Sequence, residues 1–326
     1  MIIDRFVSFT GEHCETTAMG NLLSHVGIRL SEPMLFGIGE GLGFIYWDRK
    51  GMDFPFIGGR VKSDELTASI AFHLNLKLTV QETGSITKAW FNIKENIDRG
   101  IPVGLKLDCY HLDYFKSKVH FAAHYATMYG YDDEYAYMAD TSQQGGITKT
   151  RLATLALARN EKGPMSSRNL SYTIEKTTAL PQLSSLIRTS ILRNAYRYLN
   201  PPIRNIGIKG IEKMSAEVLK WPSHGPNLAH NLCLTAQLME RGGTGGALFR
   251  NLYRDFLKES LGVLGDSKIE RAYLKFIEIA PLWSEVSASI DNAGRTGNWD
   301  WLRQASELLM HIACKEREAM ELLLEL

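Results

Sequence analysis

Gly11-Glu12-His13-Cys14-Glu15-Thr16-Thr17-Ala18 is the stretch on which the fold reading turns, because it sets a cysteine where a helix begins. From Glu15 to His25 the residues Ala18, Met19, Leu22 and Leu23 recur at helical spacing, with Val26 beyond and Gly27 as the stop residue. The first turn of a helix carries N–H groups without intrahelical acceptors and a partial positive charge, which together favour an anionic sulfur. The same N–H groups can donate to the oxyanion formed when a carbonyl is attacked. Gly11 lets the backbone come close to a ligand. Position alone leaves two readings open: a nucleophile, or a buried inert cysteine that happens to open a helix.

A nucleophilic thiolate needs a histidine, and the histidine needs an orienting partner. The segment His120-Phe121-Ala122-Ala123-His124-Tyr125-Ala126-Thr127-Met128-Tyr129-Gly130 predicts a strand. Tyr135 to Asp140 predicts the next, across a turn at Tyr131-Asp132-Asp133-Glu134. A tight hairpin there sets position 124 opposite 140 or 141, which brings Asp140 to one imidazole nitrogen of His124 and leaves the other for Cys14. His120, four residues earlier on the same strand face, would lie about 13 Å away. The two histidines then do not share a metal ion. Cys109 and His111 with His120 form a looser metal alternative; we expect no metal and no bound cofactor.

The sequence around this stretch is mixed α and β. Helix starts stand at Ser31-Glu32-Pro33, Ser63-Asp64-Glu65 and Ser85, the last opening an amphipathic run of Ile86, Ala89, Trp90, Ile93 and Ile97. Strands are predicted at Phe44-Ile45-Tyr46-Trp47, Lys77 to Val80 and 102–108. The chain turns polar around Arg159 to Ser167, with Asn160, Gly163 and Pro164. Beyond Pro181 the pattern is helical, over about 182–199, 208–220, 227–240, 246–262, 267–290 and 299–325. This gives an α+β domain over 1–165 and an all-α domain over 166–326. The chain has 326 residues, 44% hydrophobic and 22% charged, with 37 Lys and Arg against 36 Asp and Glu. That composition excludes wholesale disorder and a generally nucleic-acid-tracking surface. No apolar run reaches the roughly 18 residues of a membrane span, and the N-terminus lacks the basic and then apolar regions of a signal peptide. The expected location is the cytoplasm. The cysteines, Cys14, Cys109, Cys233 and Cys314, form no Cys-x-x-Cys pair and no dense disulfide framework.

Cysteine at a helix start, histidine on a strand and aspartate at the end of the next strand is the order of papain-like cysteine enzymes. Gly11 to Cys14 through Asn21-Leu22-Leu23, with Ser31-Glu32-Pro33-Met34-Leu35-Phe36-Gly37-Ile38-Gly39, resembles the N-terminal domain of the butirosin biosynthesis protein H family. His124 with Gly130-Tyr131-Asp132 and Asp140 also resembles bacteriocin-processing cysteine peptidases. Glu240 to Gly246, Phe249-Arg250, Tyr253 and Phe256-Leu257 resemble the helical domain that follows in butirosin H-like proteins. The resemblance spans roughly residues 10 to 320. It implies a papain-like core with an antiparallel sheet, followed by an all-α domain. It implies an acyltransferase that moves an aminoacyl-type chain from the phosphopantetheine thioester of an acyl carrier protein to an amine, in antibiotic biosynthesis. Cys14 would take the acyl group, His124 would shuttle the proton and Asp140 would orient His124. One departure stands out: Ser8, Phe9 and Thr10 occupy the place of the papain-type Gln. The Cys14 N–H would then share the oxyanion with another donor, the side chain of His13 or Asn21.

Gly37-Ile38-Gly39-Glu40-Gly41-Leu42-Gly43 is no nucleotide loop, since no Lys-Ser/Thr follows and Glu40 would repel phosphate. Gly39 and Glu40 instead suggest a flexible wall of the substrate cleft. Gly242-Gly243-Thr244-Gly245-Gly246 before a helix, flanked by Arg241 and Arg250, reads as an anion site or as a tight interhelical turn. Arg188, Arg193, Arg197, Arg204, Lys209, Lys213 and Lys220 form either a docking face for an acidic carrier protein or an ordinary solvated face. The apolar residues of the last helix belong to the core or to a homodimer interface. Beside the transferase stand two other readings: a cysteine peptidase or amidase using the same three residues, and a catalytically inactive module that binds a peptide or carrier.

Overall fold

The computed structural model describes residues 1–326 apart from 117 and 164, so Pro164 of the polar segment lies outside the described residues. The chain forms two compact units. The first comprises Met1–Leu35 and Ser63–Leu180; the second comprises Phe36–Lys62 and Pro181–Leu326. In chain order the first half runs α1 (Cys14–His25), α2 (Glu32–Ile38), β1 (Leu42–Trp47), β2 (Phe56–Arg60), α3 (Glu65–His73), β3 (Leu76–Gln81) and α4 (Ile86–Asp98). It continues with β4 (Val103–Leu107), β5 (His124–Tyr131), β6 (Tyr135–Ala139), β7 (Ile147–Arg151), α5 (Leu152–Asn160) and β8 (Ser171–Lys176). The remainder is helical: α6 (Leu183–Leu199), α7 (Gly207–Glu217), α8 (Leu228–Arg241), α9 (Arg250–Leu264), α10 (Ser267–Thr296) and α11 (Asp300–Leu324).

The class is α+β, with antiparallel sheets and a helical C-terminal region. In the first unit six strands pair in the order β3-β8-β4-β5-β6-β7, every pairing antiparallel. β4 is buried along its whole length. Leu105, Leu107, Ala126, Met128, Ala136 and Met138 meet Ile93 and Ile97 of α4 and Leu155 and Ala158 of α5 in one apolar core. Strand side chains alternate between faces, so Thr127 points the other way, and its hydroxyl donates to the Ala18 carbonyl of α1 at 3.1 Å. α1 is thus a central helix, buried from Glu15 to Leu23. Gly20 admits the Phe9 ring, which would stand 2.4 Å from an added Cβ. Ser85 caps α4 by accepting from Lys88 N at 3.2 Å.

The unit boundaries differ from a single break at 165/166. β8 pairs with both β3 and β4, so the sheet extends to Lys176. Residues 36–62 belong with the helical unit. There the Asn194 amide donates to the carbonyls of Glu40 and Leu42, and Tyr46 N donates to Asn205 O at 2.9 Å. Gly37 sits on the Phe256 ring, 2.1 Å from where a Cβ would be. Two elements begin later than their apolar pattern suggests. β5 starts at His124, leaving His120 outside the strand. α9 starts at Arg250, because Ala247, Leu248 and Phe249 all take positive φ. Among the described residues no helix is long and apolar enough to cross a membrane.

Candidate active site

Cys14 is the first residue of α1 and is partly exposed. Its helix begins without a side-chain cap; His13 takes extended backbone angles, and the first helical bond runs from Thr17 N to His13 O. The Cys14 N–H therefore has no acceptor within the helix. The loop before it is held by a carboxylate. Glu32 Oε2 accepts from Glu12 N at 2.8 Å, and Oε1 accepts from His13 N and from the Thr16 hydroxyl, each at 2.8 Å. That carboxylate fills the space beside Gly11, where an added Cβ would lie 2.6 Å from it. Ser142 ties the same loop from the other side, its N–H donating to Gly11 O and its hydroxyl to Glu12 Oε1 at 2.7 Å. Glu15 anchors the first turn to α3, where Thr67 donates from both its N–H and its hydroxyl.

His124 opens β5, and Asp140 directly follows β6. Their separation is 2.7 Å, Nε2 to Oδ2, with both side chains buried. The hairpin is not as regular as a tight turn would make it. A bulge at Tyr129 shifts the register, so Thr127 faces Ala139 on the near side of it. Asp140 still reaches His124, because its backbone is held by Gly146 O and its Oδ1 accepts from Thr141 N at 2.7 Å. The His124 ring also interacts with the Cys14 side chain. With Nε2 taken by Asp140, Nδ1 is the nitrogen left for sulfur. Burial disfavours charge on this imidazole, but the Asp140 carboxylate and the Cys14 sulfur outweigh it and hold His124 well above the usual histidine range. The structure thus brings Cys14, His124 and Asp140 together, with His124 hydrogen-bonded to Asp140 and its imidazole biased toward the charged form.

Two further residues complete this constellation. Tyr114 donates its hydroxyl to Asp140 Oδ2 at 2.7 Å, and burial followed by the Asp140 charge raises the phenol far above its ordinary range. Phe115 stands edge-on to the His124 ring at 4.9 Å between centroids. Neither residue has a local signal; only the neighbouring aromatic pair in a polar loop marks them. Cys109 lies near enough to feel His124 and Cys14, but burial pushes its thiol up, and it leans on the carbonyls of Phe121 and Val119. Beside the site, Asp64, Thr67, Tyr125 and Tyr172 enclose a cavity of about 160 Å³ with Ala68, Leu78, Val80 and Leu170. Asp64 binds Lys106 at 2.7 Å and Tyr125 at 2.5 Å there.

The other expected site residues are placed differently. Asn21 cannot complete an oxyanion hole: its Oδ1 accepts from Phe9 N at 2.8 Å and its Nδ2 donates to Thr17 O at 2.9 Å. It fixes the N-terminal segment instead. His13 is buried, with Nδ1 3.4 Å from the Thr16 hydroxyl. Gly39 and Glu40 belong to the second unit, not to the unit that holds Cys14. Glu40 is a buried carboxylate bound by Arg193 at 2.6 Å and by Arg197 at 3.3 Å. The Arg241–Arg250 turn is not built for anions. Arg250 is fully buried against Glu316 at 2.8 Å, and its guanidinium also meets Tyr198 and Leu248 O. Gly243, Gly245 and Gly246 take positive φ in a tight turn. Thr244 spans it, donating to Met239 O and accepting from Gly246 N, while Glu240 accepts from Ala247 N. Arg241 is exposed at its edge.

A sheet-borne His–Asp pair facing a cysteine at the start of a central helix is the arrangement of a papain-like cysteine enzyme. Residues 13–141 match the model for butirosin biosynthesis protein H, N-terminal. Residues 153–323, more than half of the chain, match a domain of unknown function, DUF4872. Among solved structures the chain is similar to one described as a C39-like peptidase from Bacillus anthracis, at 16% identity and a TM-score of 0.38. That match covers 54% of this chain and 98% of the other. A search of curated proteins finds no match. The chain belongs to the family defined by the DUF4872 domain, and its N-terminal part is similar to the N-terminal domain of butirosin biosynthesis protein H.

Proposed function

We propose that the protein is a cysteine acyltransferase of secondary metabolism, acting through an acyl-Cys14 thioester. The observation that carries the cysteine chemistry is the buried His124, bound to Asp140 at 2.7 Å and interacting with the Cys14 sulfur. Transfer, as against hydrolysis, rests on the similarity to butirosin biosynthesis protein H. The donor is the phosphopantetheine thioester of an acyl carrier protein, and the acceptor is a small-molecule amine. Cys14 sulfur attacks the thioester carbonyl, its N–H at the head of α1 stabilises the oxyanion, and the pantetheine sulfur leaves with the proton from His124. The amine then attacks the acyl-Cys14 carbonyl. His124 accepts the proton that the amine loses, and the Cys14 thiolate is released. Exchange of one thioester for another is close to isoenergetic, so the demanding step is selection of an amine over water. Asp140 keeps the histidine ring oriented and supports its charge.

The cavity walled by Tyr125 and Tyr172 takes the acyl chain in this reading. Tyr172 of the cavity lies near enough to Cys14 and Glu15 to feel their charges, and Thr67 holds Glu15, which adjoins Cys14. At about 160 Å³ it is smaller than the roughly 300 Å³ at which drug-sized ligands begin, and it suits a short acyl group. The seven basic residues between Arg188 and Lys220 are in part engaged within the chain, which argues against a dedicated carrier-docking face. Arg193 and Arg197 are bound to Glu40, Lys220 to Glu217, and Arg188 approaches Asp266.

The test supplies an acylated carrier protein with and without a panel of amines. Amine-dependent release of the acyl group as an amide supports the proposal. Release as the free acid at a rate no amine alters would replace it with the peptidase or amidase reading. Turnover that survives Cys14→Ala would dismiss both.

A further inference from the structure

The loop between β4 and β5 carries a second constellation. His111 Nε2 lies 2.7 Å from Glu161 Oε2, and the ligand atoms of His111, His120 and Glu161 all fall within 4.8 Å of one another. His120 does not share a strand face with His124, and it is Glu161, at the end of α5, that joins the two histidines rather than Cys109. From this geometry we infer a binding site for a divalent transition-metal ion of the zinc type, held by His111, His120 and Glu161.

Four features favour a cation over a chance cluster. Two imidazoles and one carboxylate are the donor set of open zinc sites, with a fourth position left to water. Tetrahedral coordination at 2.0–2.1 Å asks for ligand atoms roughly 3.3 Å apart, a modest rotamer adjustment from the spacing present. His120 is oriented from behind. Its Nδ1 lies 3.1 Å from Asp108 Oδ2, and Asp108 is a buried carboxylate fixed by accepting from Tyr110 N and Phe121 N. This carboxylate–histidine contact selects the tautomer that offers Nε2 to a metal. Finally, Tyr110 stacks on the His120 ring at 4.0 Å and 14°, restricting its rotation. The site is open to solvent on one side, since the His120 side chain is 58% exposed. Nitrogen and oxygen donors without thiolate suit Zn2+, Co2+ or Ni2+ and not Mg2+ or Ca2+.

A bound ion ties His111 and His120 to the end of α5. The same loop bears Tyr114 and Phe115, which touch Asp140 and His124. The ion therefore acts as a strut for the loop and does not enter the acyl-transfer chemistry.

The experiment titrates metal-stripped protein with Zn2+ against a chromogenic chelator, and with Co2+ by absorption. One Zn2+ per chain is expected. His111→Ala, His120→Ala and Glu161→Gln should each weaken it at least tenfold, and Asp108→Asn by about 10–100-fold. Cys14→Ala should leave affinity unchanged, and bound Co2+ should show no thiolate charge-transfer band. Binding that survives the His111→Ala/His120→Ala pair, vanishes with Cys14→Ala, or is absent at one equivalent would overturn the inference.

Discussion

Replacing Asp140 by Asn probes the link on which histidine protonation depends. Asp140 Oδ1 accepts from the buried Thr141 N, while Oδ2 accepts from both His124 and Tyr114. An amide offers one acceptor in place of two. Keeping that acceptor on Thr141 N turns the NH2 toward His124 and Tyr114. The tyrosine hydroxyl can rotate to accept, but the imidazole must then present a bare Nε2 and carry its proton on Nδ1, toward Cys14. The carboxylate that stabilised imidazolium is gone as well. A hydrogen bond to a charged group contributes about 1.5–3 kcal/mol. That corresponds to a fall in the acylation rate of roughly 10- to 150-fold. The sign of the pH effect follows from the raised His124 value. The imidazolium is lost as pH rises through the histidine pKa, so the alkaline limb of the pH–rate profile reports His124. Removing the carboxylate should move that limb to lower pH. Single-turnover acylation followed by intact mass across the pH range is the assay. A rate loss with an unmoved alkaline limb would refute the argument, because Asp140 would then be shaping the site without governing the proton.

Tyr114→Phe should act with the opposite sign: it leaves more of the Asp140 charge to His124, so the alkaline limb stays or rises while the rate drops only several-fold, about one neutral hydrogen bond; the same pH profile checks it. Glu32→Gln sets an NH2 against one of three donors, Glu12 N, His13 N or the Thr16 hydroxyl, and should cost about 1–3 kcal/mol of stability in urea unfolding together with slower acylation. A stable variant with full rate would remove Glu32 from the loop's support. In the helical unit, Arg250→Ala strands Glu316, which also accepts from Trp283, in a buried site. A loss of about 3–5 kcal/mol is expected, with much of it recovered in Arg250→Met/Glu316→Leu; equal losses in the single and double variants would argue against a charge penalty.

Much of this was readable from local pattern. The start of α1 at Cys14, its stop at Gly27, the capped α4 and the helical texture after Pro181 follow from spacing and termini within a dozen residues. What escaped depends on distant partners. β8 follows directly on the polar segment read as a boundary, and it is held as a strand by pairing with strands some 70 and 100 residues earlier. Residues 36–62 look like part of the first half until Asn194 and Asn205 supply their hydrogen bonds. Arg250 beside a glycine-rich turn resembles an anion binder as long as Glu316, 66 residues on, is unknown. Likewise the Glu40 charge suggests a cleft wall only while Arg193 and Arg197 are out of view. Glu32 and Tyr114 support the site through contacts that no motif encodes. The His124–Asp140 pair was within reach because one hairpin spans it, and even there the bulge at Tyr129 changed the register.

The central claim is that sulfur at position 14 is the acceptor of the acyl group. Intact-mass and peptide-level spectrometry after incubation with a short-chain acyl thioester reads it directly. A single adduct on Cys14, absent in Cys14→Ala and formed orders of magnitude more slowly in His124→Ala, is the predicted result. Acylation of Cys109 to an equal extent, or an undiminished adduct in Cys14→Ala, would contradict it.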